Sequence, residues 1–313
     1  MSLLAFGLSA QLGAAAWAGP FTAVIDHTES SPALLRIERD HTQVNVLGGV
    51  LGDPFNPLRA GRDGGTPSTG IEINVLGGVV AAWSEHHAGV RVNVRSGTLE
   101  TGASFGAGSS LSVHGGWVGG LPIAAGTLQP SVVIGAGARA DVHGGSVDAG
   151  AQVWGELNVF GGSLGADPIG LPTGLAPFDV ETRYQDSIRV RHGGVVNVYG
   201  GLIGQHLRAD DGAEVNLFVL SASLDGAALG LGLGGTRTID LRGGAALDVV
   251  LADGSRLGLV LDETGLPLIG PTGPVQAPDY VSSGALLTVT LVPAPGSAAL
   301  LGMCGLLAAR RRR

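Results

Sequence analysis

A short motif, apolar-Asn-apolar-x-Gly-Gly, recurs eight times between residues 44 and 220 and constrains this chain more than any other feature. The clearest copies are Val44-Asn45-Val46-Leu47-Gly48-Gly49, Ile73-Asn74-Val75-Leu76-Gly77-Gly78, Leu157-Asn158-Val159-Phe160-Gly161-Gly162 and Val196-Asn197-Val198-Tyr199-Gly200-Gly201. The copies at Val92, Leu111 and Ala140 are variants, and Val215-Asn216-Leu217-Phe218-Val219-Leu220 is degraded. Successive copies are 29, 19, 19, 29, 17, 39 and 19 residues apart, so 19 is the unit. The longer steps add about ten or twenty residues, which reads as an inserted loop or as a second coil too degraded to recognise.

Within each copy apolar and polar residues alternate, the period of a half-buried strand, and the terminal glycines can take the positive φ that turns a corner. A second apolar pair, as at Val50-Leu51 or Val79-Val80, begins another face. Nineteen residues cannot bury a core alone, but stacked coils can, with columns of valine, leucine and isoleucine inside. The expected fold is therefore all-β, a β-solenoid of about 19-residue coils over 44–220. Eight coils would make a rod about 40 Å long. A β-sandwich uses similar short strands and glycine turns and is the alternative.

After Leu220 the period fades. Ile239-Asp240-Leu241-Arg242-Gly243-Gly244 reads as a last variant copy, and Leu247–Leu251 and Leu257–Leu261 as a hairpin about an Asp253-Gly254 turn. Residues 221–292 are thus a C-terminal β region closing the open edge of the coil, with 279–292 as the final strand, and residues 19–43 an N-terminal cap.

The expected outward columns decide where chemistry can sit. Asn45, Asn74, Asn93, Asn158, Asn197 and Asn216 would form an amide ladder, with Ser112 and Asp141 as variants. The neighbouring column runs Leu47, Leu76, Arg95, His114, His143, Phe160, Tyr199 and Phe218. Its rings, His114, His143, Phe160, Tyr199 and Phe218, form a candidate carbohydrate stripe, because aromatic surface packs on sugar rings; stacking for stability uses the same residues. His114 and His143 have no third ligand at fixed spacing, so no metal and no cofactor is expected. The densest polar cluster is Asp179, Glu181, Arg183, Tyr184, Asp186, Arg189, Arg191 and His192, in the longest insertion. Its composition suits either a solvated loop or a uronate-cleaving site. No phosphate loop, nucleophile elbow or zinc-protease signature occurs, and no catalytic residue is assigned.

The two ends carry an address. Leu3–Ala16 is apolar and alanine-rich, and Ala16-Trp17-Ala18 suits cleavage before Gly19, so residues 1–18 read as a secretory signal. At the other end Val292-Pro293-Ala294-Pro295-Gly296 breaks the last strand. The uncharged run 297–309 would span only about 20 Å as a helix, less than a roughly 30 Å hydrocarbon layer. Arg310, Arg311, Arg312 and Arg313 follow and would stay on the cytoplasmic side as a stop-transfer signal. Residues 293–313 resemble the PEP-CTERM sorting signal of Gram-negative bacteria, with Pro293, Ala294, Pro295 and Gly296 as the sorting motif and Ala294 where that family usually has glutamate. The repeats ahead of it are similar to those of autotransporter solenoids. The resemblance implies processing by an exosortase-type enzyme, inner-membrane contact through the tail before processing, and a secreted, envelope-associated product in an exopolysaccharide-producing cell.

Charge and cysteine usage agree with that address. The chain has 18 arginines and no lysine; without the last four, the body sets 14 arginines against 26 acids, a formal charge of −12. Such a balance opposes nucleic acid, whose binding needs cations on phosphates. Cys304, the one cysteine, lies in the tail, so the body has neither disulfide nor thiol nucleophile. The expected function is a non-catalytic structural or adhesive protein of the cell envelope that contacts extracellular polysaccharide. The alternative is a polysaccharide lyase or glycosidase on a β-helix.

Overall fold

The computed structural model describes residues 21–30, 36–119, 130–148, 150–165, 187–204, 207–240, 243–262, 269–270, 273–274 and 279–294. Among these there is no helix, and most strands join parallel stacks in the manner of a β-solenoid rather than antiparallel sandwich sheets. The first stack holds every Asn-centred motif. Its strands are Ala23–His27, Thr42–Val46, Ile71–Val75, Val90–Val94, Ser110–Val113, Arg139–Val142, Glu156–Val159, Val195–Val198, Glu214–Leu224 and Leu286–Leu291. Each pairs in parallel with the next.

The period-2 alternation sets which side chains enter the core. Val46, Val75, Val94, Val113, Val142, Val159 and Val198 form one fully buried column, and the residue two before each of them forms another. β-Branched valine suits this position, since its restricted χ1 rotamers fit the pleated surface.

Motif pairs such as Val50–Leu51, Val79–Val80, Thr98–Leu99 and Ser146–Val147 build a second parallel stack, as the sequence indicates. A third stack, which no obvious motif announces, runs through Arg59–Ala60, Glu85–His86, Ala103–Phe105, Val132–Ile134, Ala151–Val153, Ile188–Val190, Leu207–Ala209 and Asp279–Val281.

Register resolves the irregular steps. Asn45 pairs directly with Asn74, Ser112 with Asp141 and Asn158 with Asn197, so the extra residues in those steps add no rung to the first stack. The stack also extends further than the motif. Asp26 occupies the asparagine column in the region expected to be a cap, and Thr288 occupies it at the far end. Both escape the motif because neither is asparagine and neither is followed by paired glycines.

The C-terminal region differs from the expected last copy at Ile239. Thr236–Thr238 instead pairs antiparallel with Leu286–Leu291, covering the outer edge of the last parallel strand; Leu241 and Arg242 lie outside the described residues. Covering an edge in this way removes a template for association. The expected hairpin is present, Gly243–Leu251 with Arg256–Asp262, and it joins two stacks: one arm pairs with Glu214–Leu224 and the other with Asp279–Val281. Its turn packs on a motif corner, where Asp253 Oδ2 accepts from Gly201 N at 2.8 Å.

Close stacking explains the second glycine of the motif. Gly162 has φ +84°, and a Cβ there would lie 2.8 Å from the Gly145 carbonyl oxygen of the preceding coil. Gly193 has φ +77° but faces open space. Gly193→Ala therefore costs only backbone strain, about 1 kcal/mol, and Gly162→Ala about 2–3 kcal/mol, because a neighbouring backbone must also move. Urea unfolding midpoints of the two variants check the difference; equal losses would show that coil contact is not what the glycine serves.

Candidate functional site

The first stack turns two columns outward, one of amides and one of rings, and in both the members contact one another along the axis. In the asparagine column each amide donates toward the N-terminal end: Asn93 to Asn74 at 2.9 Å, Asn74 to Asn45 at 3.1 Å, and Asn45 to Asp26 at 2.8 Å. A second run goes from Asn216 to Asn197 at 3.0 Å, Asn197 to Asn158 at 2.8 Å, and Asn158 to Asp141 at 2.8 Å. A polarised run needs a pure acceptor at its receiving end, and ionised carboxylates, Asp26 and Asp141, hold that place. At the other end Thr288 Oγ1 donates into Asn216 at 2.5 Å. The remaining amide hydrogens of Asn74, Asn158 and Asn216 go to Glu72, Glu156 and Glu214, the outward residues two positions earlier. These glutamates and the terminators Asp26 and Thr288 were not apparent from the motif; a Glu-x-Asn pattern at three copies was the available signal.

In the next column the five rings of the candidate stripe meet face to face. Centroids are 4.8 Å apart for His114–His143 and His143–Phe160, 4.9 Å for Phe160–Tyr199 and 4.2 Å for Tyr199–Phe218, with interplanar angles of 12° or less. The structure thus brings all five residues together in one pile. Their inner ring faces lie against one another and only the edges look outward, so a sugar meets edges there rather than an open platform. Partial burial lowers the pKa of His114, and the neighbouring His143 and Arg95 lower it further against an opposing pull from Asp141. Burial raises that of Tyr199, with Glu156 adding to it. Among the described residues no group of three or more His, Cys, Asp or Glu could hold a metal ion.

The third stack carries the strongest convergence of unlike charge. Arg191 Nη1 lies 3.2 Å from Asp210 Oδ2, Arg208 Nε 3.3 Å from Asp210 Oδ1, and Arg189 Nε 3.7 Å from Asp210 Oδ2. Arg191 lies over the Trp154 ring at 5.3 Å and Arg208 over the Tyr280 ring at 4.9 Å. Of the sequence cluster only Arg189, Arg191 and His192 fall among the described residues, and His192 Nδ1 donates to the Asp211 carbonyl at 2.9 Å. Asp179, Glu181, Arg183, Tyr184 and Asp186 lie outside them. Trp154, Arg208, Asp210 and Tyr280 were missed by sequence reading, although Arg189 to Arg208 and Arg191 to Asp210 are both the 19-residue step.

A surface hollow lined by Phe21, Glu72, Arg91 and the glycine corner Gly70, Gly89 and Gly108 measures about 120 Å³, well under the roughly 300 Å³ of a small-molecule site. Pro293 and Ala294 follow the last strand on the surface; Pro295, Gly296, the arginines 310–313 and the signal segment 1–18 lie outside the described residues. No helix among the described residues is long and apolar enough to cross a membrane. Comparison with known protein families, characterised proteins and solved structures finds no match to this chain.

Proposed function

We propose that this chain is a non-catalytic structural or adhesive protein of the bacterial envelope. In this reading a solenoid of about 19-residue coils, closed by its C-terminal β region, is exported by the segment 1–18. The tail 293–313 then retains it as a substrate of an exosortase-type enzyme. The body presents its faces to extracellular polysaccharide.

One observation carries the scaffold reading. The outward columns of the first stack are bonded along the rod axis, amide to amide and ring to ring, which ties coils together. A surface so organised supports length and stiffness.

Incubating the full-length chain with pectate, alginate and the producing cell's exopolysaccharide tests this, with new reducing ends and unsaturated termini as readouts. Binding without new ends is the expected result, and cleavage would replace the scaffold reading with the lyase or glycosidase one. For the address, a chain truncated after Val292 should leave the envelope fraction for the medium; equal retention of the two chains would defeat the sorting role of the tail.

A further inference from the structure

We propose that the third stack carries a binding site for carboxylated polysaccharide, formed by Arg189, Arg191 and Arg208 around Asp210 and braced by Trp154 and Tyr280. The inference rests on the matrix-contact reading above and gives it a place and a chemical class.

Elsewhere on the same stack, which Arg36–Ile37 joins by pairing with Arg59–Ala60, arginine and carboxylate pair one to one, Arg36 with Glu38 at 2.6 Å and Arg59 with Glu85 at 3.2 Å. At Asp210 three guanidiniums share a carboxylate. Arg191 and Arg208 alone bring about ten N–H donors, and one carboxylate has roughly four acceptor positions. Asp279 accepts from the amides of Leu207 and Val260 at 2.8 and 2.9 Å, and Asp211 from the Ser282 hydroxyl.

The cations are also held in place. Each of Arg191 and Arg208 lies over an aromatic ring, and their side chains are 26% and 36% exposed, laid against the sheet with part of the guanidinium accessible. A planar fork fixed in this way matches carboxylate geometry and loses little freedom on binding.

A further feature selects the ligand class. Arg189 and Arg208 stand in direct register on adjacent rungs, about 4.8 Å apart, with Arg191 two positions further along the first rung, a spacing that suits a polymer carrying one carboxylate per sugar. Trp154 and Tyr280 lie beneath the guanidiniums of Arg191 and Arg208 and serve to fix those forks. Duplex nucleic acid is disfavoured, because its denser charge, one per about 1.7 Å of axis, meets a body of formal charge −12.

Binding of the full-length chain to polygalacturonate, dextran and double-stranded DNA at low salt tests the site. Polygalacturonate should bind and dextran and DNA should not. Arg191→Gln with Arg208→Gln should weaken binding about 10-fold or more, the loss of two charge-assisted contacts. Arg36→Gln with Arg59→Gln should leave it unchanged.

Asp210→Asn provides a test that misfolding cannot imitate. Removing the competing carboxylate should tighten binding several-fold, whereas a purely structural cluster would lose stability with no gain in affinity. Equal binding by both arginine pairs, or unchanged or weaker binding by Asp210→Asn, overturns the site while leaving matrix contact standing. Binding to dextran alone does the same. Absence of binding to any polysaccharide overturns both readings.

Discussion

Asn158→Asp is expected to destabilise the protein by about 3 kcal/mol at pH 7, although it exchanges one NH₂ group for an oxygen. Asn158 is 3% exposed, and its amide nitrogen lies 2.8 Å from Asp141 Oδ1 and 3.0 Å from Glu156 Oε1. The new carboxylate oxygen would face two carboxylates where a donor stood, with only the Asn197 amide still donating to the residue. Arg139 bridges Asp141 and Glu156 at 3.1 and 3.5 Å and offsets part of the repulsion, which keeps the expected loss near the lower end for a buried unpaired charge.

The sign of the pH dependence separates this cause from simple loss of a hydrogen bond. Repulsion raises the folded-state pKa of the introduced carboxyl above its unfolded value near 4, so the penalty is present at neutral pH and shrinks as pH falls through the raised value. Asn93→Asp is the internal control. Its residue donates to Asn74 at 2.9 Å but has Arg91, not glutamate, two positions earlier on the same face. Its loss should stay near 1 kcal/mol. Urea unfolding at pH 7 and pH 5 measures both, and equal losses at the two sites would show that the flanking charge does not govern the ladder.

The different legibility of the three stacks in the sequence has a physical basis. The first stack announces itself because its outward residues bond to their own kind, so asparagine recurs at a fixed place, and because its corner glycines meet a neighbouring backbone. In the third stack the inward positions vary among Ala60, His86, Phe105, Ile134 and Val153, and the outward ones among Arg59, Glu85, Ser104, Val133 and Gln152. Packing fixes only volume and alternation there, and several residue types satisfy both. The ends were hidden for another reason. Asp26 and Thr288 are neither asparagine nor followed by paired glycines, whereas Asp141, a terminator of the same kind as Asp26, kept Gly144-Gly145 and so stayed recognisable. The ring column was legible as residues, but face-to-face stacking depends on register: a 39-residue step brings Phe160 onto Tyr199 as closely as a 17-residue step brings His143 onto Phe160.

The core of the third stack also predicts how the protein responds to acid. His86 is 1% exposed, stacks on Phe105 at 4.6 Å, and its Nε2 lies 3.1 Å from the Ser84 hydroxyl. Burial, with a smaller push from the charge of His87, lowers its pKa from 6.5 to about 3. A folded-state pKa below the unfolded one means that the unfolded chain takes up the proton first. Stability is therefore complete above pH 6.5 and is lost as pH falls toward 3, at about 1.4 kcal/mol per pH unit and roughly 5 kcal/mol in all. Asp40, Asp53 and Asp253 also have lowered pKa values, but these carboxylates begin to matter only near and below their unfolded values around 4. Between pH 6.5 and 5 these carboxylates stay out of the balance and the imidazoles with lowered pKa, His86 and His114, respond; the share of His86, about 2 kcal/mol, is read as the difference between the protein and a variant without that ring. His86→Leu should lose about 1 kcal/mol at pH 7, because the Ser84 hydroxyl loses its imidazole partner, yet its urea midpoint should fall less steeply over the same interval, His114 alone of the two rings remaining. The two stability curves should consequently cross before pH 5, the variant becoming the more stable protein. Parallel curves would mean that His86 accepts its proton without opening the coil.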